Sequence, residues 1–130
     1  MQKQQTLFFT LFLLLTAQIG LSQGFIKDKS QVTFKIKNAG FWVNGSFSDF
    51  DMRSQFHPQA LESSQVSGTL SVKSIATNNN KRDEHLRSED YFEAEKFPEI
   101  TLTSTLLSKQ GDGYIWKGKL KIKETEKFFF

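Results

Sequence analysis

The sequence predicts an all-β domain, an antiparallel up-and-down barrel or sandwich with one short helical insert. Two observations carry this. Several stretches alternate apolar and polar residues with the period of two of a half-buried strand. Between two of them lies a dense charged segment, residues 81–100 (KRDEHLRSEDYFEAEKFPEI), far longer than a hairpin connection. That segment reads as a capped helix and a tethering loop, packed over one end of the barrel.

The first 22 residues are expected to be a signal peptide rather than part of the fold. Lys3 supplies a weak positive start and residues 7–15 (LFFTLFLLL) an apolar stretch. Gly20 and Ser22 fit the small-residue positions before a cut, which places cleavage after Ser22 and the domain at 23–130. The apolar run falls short of the ~20 residues that span a bilayer, which disfavours the alternative of an uncleaved anchor.

Val32, Phe34 and Ile36 alternate with Thr33, Lys35 and Lys37, and Asn38-Ala39-Gly40 reads as a turn. Phe41, Val43, Gly45 and Phe47 form the next row, with Trp42 on the opposite face at a rim. Phe50, Met52 and Phe56 continue extended structure after a change of parity, read as a bulge. His57-Pro58 starts a loop reaching to about Ser64. Val66, Gly68, Leu70 and Val72 form a clean strand row.

Asn80 is the expected N-cap of the helix, with Asp83 and Glu84 in its first turn. Asp83 and Arg87 stand four apart in the favourable order for an ion pair, and the helix should end near Glu89. Pro98 holds Phe97 extended and leads into the row Ile100, Leu102, Ser104, Leu106. Residues 109–113 (KQGDG) form a hairpin turn. Tyr114, Trp116, Gly118, Leu120 and Ile122 make the longest row, with Lys117, Lys119, Lys121 and Lys123 on its outer side.

Composition excludes several classes. The 130 residues include no cysteine, which removes disulfides, thiolate metal sites, a Cys nucleophile and a lipidated Cys. A small exported domain without disulfides fits a bacterial periplasm better than a eukaryotic exterior. Cleavage after Ser22 would leave 108 residues, enough for one domain, and would lower the formal charge from +3 to +2. Basic and acidic residues are interleaved, with no basic stripe, so nucleic acid is not an expected partner.

In order along the chain, the segments Asp28-Lys29-Ser30-Gln31-Val32-Thr33-Phe34, Gly45-Ser46-Phe47-Ser48-Asp49-Phe50, Ser74-Ile75-Ala76-Thr77, Arg82-Asp83-Glu84-His85-Leu86, Tyr91-Phe92, Phe97-Pro98-Glu99-Ile100 and Gly118-Lys119-Leu120 resemble the signature of the YceI-like family. The resemblance implies an extended lipocalin-like antiparallel barrel with a helical insert. It also implies an exported, polyisoprenoid-binding protein that holds an isoprenoid or other amphipathic lipid in a long apolar cavity. In that family a Gly-containing turn and further strands follow the last segment. Here Lys123-Glu124-Thr125-Glu126 reads as the turn region, with Glu124 where a Gly is expected, and the sequence ends at Phe128-Phe129-Phe130. The chain therefore reads as a C-terminally truncated member whose barrel lacks its closing strands.

The inward rows are the expected ligand site. Phe34, Ile36, Val43, Phe47, Leu70, Val72, Leu102 and Trp116 are the expected lining, with Phe92 and Phe97 capping it from the insert. Gly45, Gly68 and Gly118 each fall on the apolar face of a different strand, where they would bend the wall and leave space beside large side chains. The alternative is an ordinary filled core. Arg82 and His85 could meet a lipid head group or anchor the insert through hydrogen bonds.

No catalytic residue, metal or cofactor is expected. His57 and His85 lie in no H-x-H or H-E-x-x-H arrangement, and no G-x-S-x-G occurs. A secreted hydrolase thus has no motif behind it. A periplasmic protein-interaction module, using the insert and the Lys-rich outer row, is the alternative to a lipid carrier.

Overall fold

The structure, a computed structural model, describes residues 25–129. The expected signal peptide and its cleavage point lie outside them. A short 3-10 turn, Lys27–Lys29, leads into β1 (Val32–Asn38), which pairs with β2 (Phe41–Phe47). Ala39 and Gly40 make the tight turn between them at positive φ, 47° and 84°.

Ser48 and Asp49 then carry the chain from one sheet to the other. The Ser71 N–H donates to the Asp49 carbonyl at 2.9 Å and fastens this corner to the next sheet. The parity change before Phe50 is thus a corner between sheets and not the expected bulge. β3 (Phe50–Gln55) pairs with β4 (Gln65–Ser71). Val72, read as the end of a strand row, opens a 3-10 turn, Val72–Ser74, while its side chain stays buried. The two-residue strand β5 (Ile75–Ala76) adds to β2 and was not foreseen.

The helix α1 (Asn80–Arg87) is followed by the loop into β6 (Glu99–Gln110), β7 (Gly113–Ile122) and β8 (Thr125–Phe129). β8 corrects the reading of residues 123–126 as a turn region. Only Lys123 and Glu124 turn, with Lys123 at φ 55° in the place of a glycine, and Thr125 already pairs with Ile122. β6 carries a bulge between Ser104 and Leu106, where the register with β7 shifts. The bulge swaps the faces: Leu107 is buried and Leu106 is 48% exposed, which reverses the expected row.

The strands form two antiparallel sheets, β1-β2-β5 and β3-β4-β6-β7-β8. The all-β, antiparallel, one-helix architecture is the expected one, and the wall does not close into a barrel among the described residues. The core sits at the insert end. Phe47, Val72, Ile75, Leu86, Ala94 and Ile100 are buried together, drawn from both sheets, the helix and its following loop. Val32, Phe34, Leu70, Phe92, Leu120 and Ile122 pack against them from partly covered positions.

Candidate functional site

The insert is fixed by polar bonds before it is fixed by packing. The cap is Asn79, one residue before the expected Asn80: its side-chain oxygen accepts from the Arg82 N–H at 3.0 Å. The helix stops at Arg87, because Ser88 turns extended and its hydroxyl donates back to the His85 carbonyl at 2.6 Å. Only Leu86 supplies a buried apolar side chain to this helix, so its other buried contact matters. That contact is Asp83, whose Oδ1 accepts from the Thr77 N–H at 2.9 Å and the Thr77 hydroxyl at 2.5 Å.

Arg82 completes the network. Its Nε donates to the Thr77 hydroxyl and its Nη2 to the Thr77 carbonyl, both at 2.7 Å. Arg87 donates to the carbonyls of Lys73 and Ile75 at 3.1 and 3.2 Å. Two guanidinium forks therefore clip the helix along one run of backbone, using the planar geometry that lysine lacks. The expected Asp83–Arg87 pair does not form, since each side chain is spent on the 73–77 segment. His85 is exposed, lies 3.2 Å from Asp90 and meets the Tyr91 ring edge-on.

The loop after the helix is held from the far sheet by Lys123. Its ammonium donates to the Tyr91 carbonyl at 3.1 Å, lies 3.3 Å from the Glu93 carboxylate and sits 5.6 Å from the Phe97 ring centre. Lys96 also lies over Phe97, at 5.0 Å. Phe97 is thus a half-buried ring beneath two cations.

The expected lining residues divide into two sets. Phe34, Phe47, Leu70, Val72 and Phe92 belong to the packed core, with the Phe34 and Phe47 rings 5.4 Å apart. Ile36, Val43, Leu102 and Trp116 are not part of it: Val43, Leu102 and Trp116 are half-buried, and Ile36 is 38% exposed. The apolar rows therefore run beyond the core and stay incompletely covered.

The three glycines do not leave the space expected of them. Gly45 pairs with Phe34, Gly68 with Met52 and Gly118 with Phe129, and in each pair the large side chain lies over the glycine. A Cβ at Gly118 would also meet the Thr103 carbonyl oxygen at 2.6 Å. Each glycine is a seat for its cross-strand partner. Met52 and Phe129 are the participants that sequence reasoning missed.

A hollow of about 590 Å³ opens beside Lys27, Asp28, Thr33 and Ser46, with a mixed polar and apolar lining. Of the expected lining it touches Gly45 and Phe47 alone, so it is an open groove apart from most of the apolar rows. Among the described residues no group of His, Cys, Asp and Glu is placed to hold a metal ion, and no helix is long and apolar enough to cross a membrane.

The sequence model of the YceI-like domain matches residues 25–128. The chain belongs to the YceI-like family. Similar proteins to this YceI-like chain include UPF0312 proteins of Photorhabdus laumondii, 40% identical over 92 residues, and of Pectobacterium atrosepticum, 38% identical over the same length. Each match takes in 70% of this chain and 48% of the relative, so the chain spans about half the length of the curated relatives it matches. The crystal structure of the Campylobacter jejuni YCEI protein shares 30% identity at a TM-score of 0.62, covering 81% of this chain and 63% of that one. BcnA of Burkholderia cenocepacia shares the fold at a TM-score of 0.75 and 24% identity, over 80% of this chain and 66% of BcnA.

Proposed function

We propose that this YceI-like domain binds an isoprenoid or other amphipathic lipid against the apolar rows of its two sheets, without catalysis, in a bacterial periplasm. The supporting observation is that these rows outrun the core. Leu102, paired with both Gly68 and Leu120, and Trp116, paired with Leu107, remain half-buried and are not part of the packed cluster at the insert end. A polymethyl chain laid there would remove apolar surface from water at about 0.8 kcal/mol per CH₂, enough to bind with few polar contacts. Arg82 serves as an anchor of the insert in this reading, because its fork is already taken by Thr77. Of Arg82 and His85, His85 is the exposed one that could meet a head group.

A Trp42→Phe chain retains Trp116 as its one tryptophan. Titrating it with a long-chain polyprenol should give a saturable change in Trp116 fluorescence. Leu102→Arg should weaken that uptake at least about tenfold, since it places a charge on the apolar row, while a cooperative melt shows that the variant is folded. No saturable signal in the folded parent chain would contradict the reading and favour a protein-interaction module.

A further inference from the structure

Away from the insert, β1 and β2 continue as a two-stranded ribbon. β5 pairs only with Ser46 and Phe47, while the β1–β2 ladder runs on to Asn38 and Phe41. The Ala39-Gly40 turn, with both φ values positive, keeps the ribbon's twist to its tip.

That tip carries large apolar side chains in water. Phe41 is 77% exposed, Trp42 61% and Ile36 38%. Phe41 and Trp42 are consecutive in a strand, so they leave opposite faces of the ribbon. The Lys35 ammonium lies 5.3 Å from the Trp42 ring centre, and Lys37 stands opposite Trp42 in the ladder. The sequence has no acidic residue between Asp28 and Asp49. The protrusion is thus aromatic on both faces, cationic and free of acids.

A protein partner covers one face of such a ribbon; a medium that surrounds it covers both. The boundary between lipid head groups and acyl chains is such a medium. Tryptophan favours it, and lysines beside it reach anionic head groups. We infer that the β1–β2 tip docks on an anionic bilayer, with Phe41, Trp42 and Ile36 in the boundary layer and Lys35 and Lys37 on head-group phosphates. This surface goes beyond the proposed binding of a lipid within the domain and does not depend on it.

The test uses the full chain with Trp116→Phe, which makes Trp42 its one tryptophan. The probes are vesicles of phosphatidylcholine with phosphatidylglycerol, with and without bromine on the acyl chains. Trp42 emission should shift to the blue on these vesicles and be quenched by the brominated lipid. Lys35→Gln and Lys37→Gln should each weaken the response about fivefold. Residues 7–15 could bring the chain to a vesicle by themselves, which is why the depth of Trp42 is read rather than sedimentation. Emission that stays unshifted and unquenched overturns the inference, whether or not the chain sediments. A shift that needs no vesicles and follows protein concentration also overturns it, and shows a second copy on the tip.

Discussion

Asp83→Ala should cost about 3 kcal/mol of stability, because it strips two bonds from a buried site at once. Asp83 is 6% exposed and Thr77 4%. Removing the carboxylate leaves the Thr77 N–H and hydroxyl without their acceptor, in a place water does not readily reach. Arg82 binds the same threonine, so the loss spreads to the helix start. For a domain of this size the melting temperature should fall by roughly 15 °C. Asp83→Asn keeps an acceptor oxygen and should lose about half as much, since the charge-assisted bonds are about twice as strong as neutral ones. Thermal denaturation followed by circular dichroism measures both. Equal, small losses in the two variants would mean that packing of Leu86, not the Thr77–Asp83–Arg82 network, fixes the insert.

Gly118→Val should cost about 3 kcal/mol, by overpacking rather than by a lost contact. Its new side chain meets the Phe129 ring and the Thr103 carbonyl oxygen, the first Cβ contacts being 2.6 Å to each. The ring can move if β8 shifts away, but the oxygen belongs to the β6 backbone. Phe129→Ala in the same chain should therefore restore only part of the loss. Urea unfolding of the two single variants and the double variant separates the terms, and full recovery in the double variant would assign the whole effect to β8.

Much of the fold was readable because a period of two is a local signal. The β1, β2, β4 and β7 rows needed only residues that the chain places side by side. The length and charge of residues 81–100 marked the insert, and the order of short segments marked the family. What escaped was decided across strands. Nothing near Ser104 announces the bulge that turns Leu107 inward and Leu106 out, since both are leucines and either parity reads as a strand. β5 is two residues long and exists because β2 offers it an edge. Lys123 at positive φ hid β8, because the turn lacks the glycine that would have marked it.

The site was legible in part for the same reason. Apolar parity put Leu102 and Trp116 in the expected lining, but parity alone gave no way to know that Phe34 and Phe47 would close into a core around Ile75. The glycines were placed on the correct face. Their meaning depended on register, which sets Phe34 over Gly45, Met52 over Gly68 and Phe129 over Gly118. Likewise, two acids and two arginines on one short helix suggested pairing along the helix. The carbonyls of Lys73, Ile75 and Thr77, five to fourteen residues back along the chain, claimed the arginines instead.

The central proposal is that the apolar rows hold a lipid. Organic extraction of the folded protein, purified from a bacterial periplasm without detergent, followed by mass spectrometry, tests it most directly. The account predicts an isoprenoid or similar amphipathic lipid at close to one per chain, lost when Leu102→Arg is introduced. A folded, cooperatively melting protein that yields no lipid, and takes none up when offered a polyprenol, would contradict it.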